Sequence, residues 1–281
     1  MSPMTHLEDV RASWGTNPLY TDSSSFESHS ISFLEERRND CLTDCFAASL
    51  NLRPLPPSRT ADQELRVLDL GRGIVVWLSE FAMRGLLNLV AADLTGQALR
   101  IAAKRLEAYG LKAEPSKQNA EAMTFQEHTL DHVNSQGVIH HAPATDATMK
   151  KIARARKPGG TESISIYYRK STFSHWSYLR GVNCLRESVG ALGARARHFF
   201  LESNVDEIVR LDDGAEIPIV KSYTKAQFVT ILKKYFDVHE IYLHFFATRS
   251  SSVKLPACLH RWLDRNFGFM SYTTVYKPCA A

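Results

Sequence analysis

From Arg66 onward the chain alternates short apolar runs with stretches of helical period: "RVLDL", "IVVWLSEFAMR", "LNLVAAD" and "TGQALRIAAKRLEAYG" follow one another. Apolar runs bounded by glycine or polar residues predict buried strands, and their alternation with helices predicts a parallel sheet with helical crossovers. In the first helix Leu78, Phe81 and Ala82 share a face, and Gly85 is placed to end it in the left-handed conformation. In the second, Thr95 is placed to accept a hydrogen bond from a free backbone amide. Ala98, Ala102, Leu106 and Tyr109 form its inner stripe, and Gly110 ends it. The core therefore begins near Arg66.

The flanks break this rhythm. Before the core, "TDSSSFESHS" reads as a polar loop, "SFLEERRNDCLTDCFAASL" as a helix and "RPLPPSRT" as a linker. After the fifth predicted strand, residues 171 to about 220 interrupt the alternation until the helix "TKAQFVTILKKYF".

A chain of 281 residues with 44% hydrophobic content allows a substantial buried core. With 34 basic against 30 acidic residues the balance is mildly basic, which requires no nucleic-acid partner. No apolar run approaches the length of a membrane span, and "MSPMTHLEDVRASWG" lacks the order of a signal peptide, so a soluble, cytoplasmic protein is expected. The cysteines Cys41, Cys45, Cys184, Cys258 and Cys279 are odd in number and mostly isolated, which argues against a disulfide framework. Cys41 and Cys45 fit one helix face but lack nearby histidines, so no metal site is expected.

The chemistry starts at the turn after the first strand. In "LDLGRG", Gly71 supplies a tight bend and Gly73 lets the backbone approach a ligand, because neither has a Cβ in the way. Asp69 lies just before the turn. Asp93 ends the second strand 22 residues beyond Gly71, where a carboxylate can accept both hydroxyls of a ribose. The glycine pair alone fits a structural turn equally well; with Asp93 it points to an adenosine-containing ligand.

Three further segments, "SKQNAEAMTF", "LDHVNSQGVIHHAPAT" and "KKIARARKPGGTESISIYYR", resemble in order and spacing the later motifs of class I S-adenosylmethionine-dependent methyltransferases, in particular the small-molecule type often called type 11. The resemblance extends to "VRASWGTNP" near the N-terminus and "RWLDRNFGFMSYTTVYKP" near the C-terminus. It implies a Rossmann-like α/β fold with a mostly parallel, seven-stranded sheet and helices on both faces. The implied division is a lid or helical extension over 1–60, an S-adenosylmethionine-binding core over 61–170, a substrate cap over 171–220 and the rest of the core over 221–281. By the same resemblance Asp69, Gly71, Arg72 and Gly73 shape the pocket for the methionine part, and Asp93 holds the ribose with Leu94 packed on the adenine. Asn119 and Ala120 meet the adenine edge, while Ser135 and Gln136 lie beneath the methionine and the transferring methyl group.

Departures from the family pattern fall at Arg72, where a small residue is usual, at Val75 in place of glycine, and at Gln118 and Asn119 in place of a glycine and an acid. Asn119 keeps an acceptor oxygen but loses the charge, and its alternative reading is a turn cap. Arg72 sets a cation beside a sulfonium unless it points away or pairs with the cofactor carboxylate. A branched side chain at Val75 is compatible with the first turn of a helix, so the expectation is a modified but working loop.

Methyl transfer from a sulfonium needs alignment and exclusion of water more than covalent help, and a general base only where the nucleophile must shed a proton. His140 and His141 are the candidates, with His140 nearer the cofactor by the family pattern; the competing reading has the pair capping, packing or lining the pocket. Tyr167, Tyr168, Trp176, Tyr178, Phe199 and Phe200 are candidates to line an acceptor pocket. The basic string Lys150, Lys151, Arg154, Arg156 and Lys157 reads as a solvated helix face rather than an RNA site, because no aromatic stacking platform accompanies it. Beside the small-molecule enzyme stand two other readings: a methyltransferase-fold scaffold that has lost productive cofactor binding, and an RNA methyltransferase.

Overall fold

A computed structural model describes residues 3–16, 30–40, 56, 64–71, 76–170, 204–213, 217–246 and 256–277. Its centre is one seven-stranded sheet in the order β3-β2-β1-β4-β5-β7-β6. The strands are β1 Val67–Leu70, β2 Leu89–Asp93, β3 Glu114–Lys117, β4 Leu130–Gln136, β5 Arg156–Tyr167, β6 Asp237–His244 and β7 Met270–Tyr276. β1 to β5 pair in parallel, and β7 runs antiparallel to both β5 and β6. The expected mostly parallel, doubly covered sheet is present.

The helices are α1 Pro3–Thr16, α2 Ile31–Asp40, α3 Val76–Met83, α4 Gly96–Ala108, α5 Thr145–Ala155, α6 Val205–Asp213, α7 Lys225–Leu232 and α8 Ala257–Phe267. Successive strand residues face opposite sides, so Val67 joins one apolar cluster and Leu68 the other. Trp77, Leu78 and Phe81 of α3 with Leu106 of α4 and Val209 of α6 cover the first face. Met149 and Ile152 of α5 with Phe228 and Leu232 of α7 cover the second. Because both faces are covered, β1 is buried at every residue, Asp69 included, and its other three residues are aliphatic.

Local chemistry sets the helix ends much as the sequence predicts. Thr95 Oγ1 accepts the Ala98 amide at 3.3 Å, and Gly85 and Gly110 take φ of +87° and +66° beyond α3 and α4. The inner stripe of α4 also holds a cation: Arg105 is buried and its Nε donates to Ser79 Oγ on α3 at 3.1 Å. α7 opens on a reciprocal capping box between Thr224 and Gln227.

Two expectations need correction. The Pro158-Gly159-Gly160 segment, where the family resemblance implies a turn before the fifth strand, lies inside the span of β5 as an irregularity: Leu130 pairs with Arg156 and His132 with Thr161, so β5 carries extra residues that β4 lacks, with Gly159 at φ +71°. The basic string is also not a solvated face, because α5 ends at Ala155 and the chain turns inward. Arg156 is buried, Arg154 donates to the carbonyls of Met123 and Phe125, and Lys157 holds both oxygens of Asp131 at 2.8 Å. Only Lys150 of the five is fully in solvent.

At the N-terminus α1 and α2 pack beside α4. Phe33 of α2 is buried, and the Tyr109 hydroxyl at the end of α4 donates to Glu35. Cys41 and Cys45, most of the "RPLPPSRT" linker, and Trp176, Tyr178, Phe199 and Phe200 lie outside the described residues. No helix among the described residues is long and apolar enough to cross a membrane.

Candidate functional site

Of the expected site residues, Asp69, Gly71, Asp93, Ser135 and Gln136 stand at the carboxyl ends of β1, β2 and β4, and Asn119 and Ala120 follow β3. β1 leaves the sheet at Gly71, whose φ of +80° suits glycine and whose amide donates to the Ala92 carbonyl at 2.7 Å. A Cβ there would run into the side chain of Val138, so glycine is required twice over. Arg72, Gly73 and Val75 lie outside the described residues.

Asp93 closes β2 and is tied to the next helix. Its Oδ1 accepts the Thr95 amide at 2.9 Å and the Thr95 hydroxyl at 3.1 Å, while that hydroxyl caps α4. Burial raises the Asp93 pKa above its ordinary value, and the Thr95 bonds oppose the rise. Leu94 beside it is half-buried, so it is not plain core. Asn119 Oδ1 accepts the Glu121 amide at 3.0 Å and so caps a short 3-10 turn, Ala120–Ala122. The turn-cap alternative for Asn119 is what the geometry displays. Gln118 laces the same loop, accepting from the Thr124 amide and donating to Ser116 Oγ, each at 3.0 Å.

At the end of β4, Ser135 and Gln136 are buried, and Ser135 Oγ and Gln136 Oε1 have no hydrogen-bond partner among the described residues. Gln136 Nε2 donates to Asn134 Oδ1 at 3.1 Å, and Asn134 Nδ2 donates to Asp69 Oδ1 at 2.7 Å. The sequence reading missed Asn134. Its signal is the polar alternation His132, Asn134, Gln136 inside a strand that is otherwise buried.

Gly137, at φ +72°, turns the chain into a second 3-10 turn, Ile139–His141, ahead of α5. The His140 ring lies 4.0 Å from that of Tyr167 and 4.3 Å from that of His141. His141 Nδ1 meets the Ile219 carbonyl at 3.0 Å; a carbonyl only accepts, so Nδ1 carries the proton and Nε2 keeps its lone pair. Burial pushes the His141 pKa down to about 4, with the Ile219 bond opposing, and the ring is neutral near pH 7. Trp14 of α1 meets it edge-on at 5.1 Å, and Phe269 closes on Tyr167 at 4.6 Å. Segment 217–223 forms a further wall, where the Lys221 amide donates to the His140 carbonyl at 3.0 Å and Tyr223 bridges to Tyr168. Trp14, Ile219 and Lys221 were not legible as neighbours of the histidines, since they come from distant parts of the chain.

A glycine turn after β1 and an acid after β2, on a sheet of this order with β7 alone reversed, define the class I S-adenosylmethionine-dependent methyltransferase fold. Residues 67–160, about a third of the chain, match the family described as a methyltransferase domain, and the sheet has the Rossmann-like fold of class I methyltransferases. The chain is 31% identical to phosphoethanolamine N-methyltransferase 2 of Caenorhabditis elegans over 102 residues, which are 36% of this chain and 23% of that relative. It therefore spans under a quarter of that relative's length. A methyltransferase structure from Aquifex aeolicus aligns over 90% of this chain and 100% of its own, with 11% identity and a TM-score of 0.50. One from Mesorhizobium loti aligns over 76% and 91%, with 16% identity and a TM-score of 0.49. At such identities the likeness concerns the fold alone.

Proposed function

We propose that this protein transfers a methyl group from S-adenosylmethionine to a small-molecule acceptor by in-line displacement. The observation that carries the reading is that Gly71, Asp93 and the unsatisfied oxygen of Gln136 stand at the carboxyl ends of three neighbouring strands, β1, β2 and β4. A glycine turn at the end of β1 and a carboxylate fixed at the end of β2 suit a nucleoside brought close to backbone. When bound, S-adenosylmethionine supplies an electrophilic methyl on a good leaving group.

The chain's own residues then bind, orient and exclude water. Asp93 accepts the ribose hydroxyls, Leu94 packs on the base, and Asn119 and Ala120 border its edge. Asp69, Gly71, Arg72 and Gly73 surround the methionine part, with Ser135 and Gln136 beneath it. His140 and His141 face the acceptor side with Tyr167, His140 nearer the cofactor; a His141 pKa of about 4 makes that ring a weak base near pH 7, suited to orienting a donor through its Nε2 lone pair. α1 serves as part of a lid through Trp14, and the region over 171–220 serves as the acceptor cap. The partial match to a phosphoethanolamine N-methyltransferase supports a small acceptor methylated on nitrogen.

Calorimetric titration with S-adenosylmethionine and S-adenosylhomocysteine tests the reading. Asp93→Ala should weaken binding roughly tenfold or more, at about 1.5 to 3 kcal/mol per charged hydrogen bond lost, with the fold kept. Unchanged affinity in Asp93→Ala would remove that residue from the ribose. A wild-type protein that binds neither ligand at millimolar concentration would give place to the scaffold reading.

A further inference from the structure

One face of the sheet carries a polar seam where a doubly covered parallel sheet ordinarily carries aliphatic side chains. Asp69 on β1 stands opposite Asn134 on β4, Asn134 stands opposite Ser163 on β5, and Gln136 stands opposite Ser165. All five are buried. Groups so placed destabilise the fold unless hydrogen-bonded, and here the bonds run in one direction. A carboxylate only accepts, so Asn134 must turn its amide nitrogen to Asp69, as its 2.7 Å bond records. That choice turns the Asn134 oxygen to Gln136, which must answer with its own nitrogen, at 3.1 Å. The second oxygen of the chain, Gln136 Oε1, is thereby turned away from Asn134, at the carboxyl end of β4, and it is the atom without a partner among the described residues.

The orientation of both amides is thus fixed by the charge at the far end. Each amide dipole points its negative end away from Asp69, so the carboxylate's charge is carried two side chains outward, and aligned hydrogen bonds strengthen one another. An oxygen polarised in this way repels a carboxylate and favours a cationic N–H donor. We propose that Asp69 acts through Asn134 as a positioning residue, holding Gln136 Oε1 as the acceptor for the ammonium group of the cofactor's amino-acid part. This rests on the methyltransferase reading above. Asp69 then acts on the ammonium through Asn134 and Gln136 rather than by bonding it directly, and its replacement by the isosteric amide frees both side chains to flip.

The test compares three ligands on the full chain by calorimetry. S-adenosylhomocysteine carries the ammonium and the carboxylate, its deaminated analogue keeps only the carboxylate, and 5′-methylthioadenosine keeps the nucleoside and sulfur alone. Asp69→Asn and Gln136→Met should each lose about tenfold or more in affinity for S-adenosylhomocysteine, while binding the other two as the wild type does. Should Asp69→Asn fail to fold by thermal melting, Gln136→Met, at the strand's end, decides alone. Equal losses on all three ligands mean a structural role and overturn the relay, as does unchanged binding of S-adenosylhomocysteine. A wild type that binds none of the three overturns the methyltransferase reading, and the relay falls with it.

Discussion

His141 is held in one tautomer by the Ile219 carbonyl and walled by Trp14, His140 and Tyr167. Its folded pKa, about 4, lies below the ordinary histidine value of 6.5, so the folded state prefers the neutral ring. The stability this contributes is present above pH 6.5 and is lost as pH falls from there through about 4. Thermal melting across that window should show a steep acid limb, and His141→Asn, which keeps a donor for Ile219 but does not titrate, should flatten it. An identical limb in the variant would mean that other groups drive the acid loss. The residue scale also marks where the sequence can be read and where it cannot. The turn at Gly71 and the place of Asp93 at the end of β2 were legible because both follow from the local pattern at strand ends. Asn134 was not, because its meaning depends on the register that sets it opposite Asp69, and the partners of His141 come from α1 and segment 217–223.

At the scale of elements, β2 and α4 are joined by a single side chain. Thr95 Oγ1 accepts the Ala98 amide and donates to Asp93, so it caps the helix and steadies the carboxylate at once. Thr95→Ala should cost about 1 kcal/mol of stability through the lost cap, and should also weaken S-adenosylhomocysteine binding several-fold, because Asp93 loses one of its two Thr95 bonds. Thr95→Ser should restore both; a variant that loses stability with affinity intact would separate the cap from the site. Elements with a strong local period, β1, α3, β2 and α4, are the ones the pattern predicts. α8 resists such a reading because it faces the sheet with polar groups. His244 donates to Asp264, Asp264 also accepts the Phe246 amide at 3.0 Å, and His260 bonds the Phe246 carbonyl at 2.7 Å, while Trp262 and Leu259 lie outward. A helix docked by hydrogen bonds across a loop reverses the apolar-in rule.

Across the whole molecule, the strand ends that form the site are held by a sheet whose far end buries an arginine beside a glutamic acid. Arg156 begins β5 and Glu162 follows within it, with Nη1 and Oε2 3.9 Å apart and both side chains shut off from solvent. The guanidinium lies 4.6 Å over the Phe236 ring and donates to the Val275 carbonyl at 3.3 Å, so one cation spans β5, β7 and the segment between α7 and β6. Sequence alone placed Arg156 on a solvated face because charge usually lies there, and only the end of α5 at Ala155 turns it inward. Burial pushes the Glu162 pKa up to about 8, with the attraction of Arg156 working against it. A folded pKa raised from 4.5 to about 8 means that the folded state favours the protonated acid. Its contribution is therefore full below pH 4.5 and declines as pH rises, until it is lost above about 8. Glu162→Gln keeps an acceptor for Arg156 without the ionisation. Denaturant unfolding from pH 5 to pH 9 should show the variant gaining on the wild type as pH rises, by an amount on the order of a few kcal/mol, with the gap level beyond pH 8. A gap that stayed constant over this range, or widened toward acid, would mean that Arg156 keeps Glu162 ionised in the fold. The bond at the base of β5 would then be a true ion pair rather than a cation beside a neutral acid.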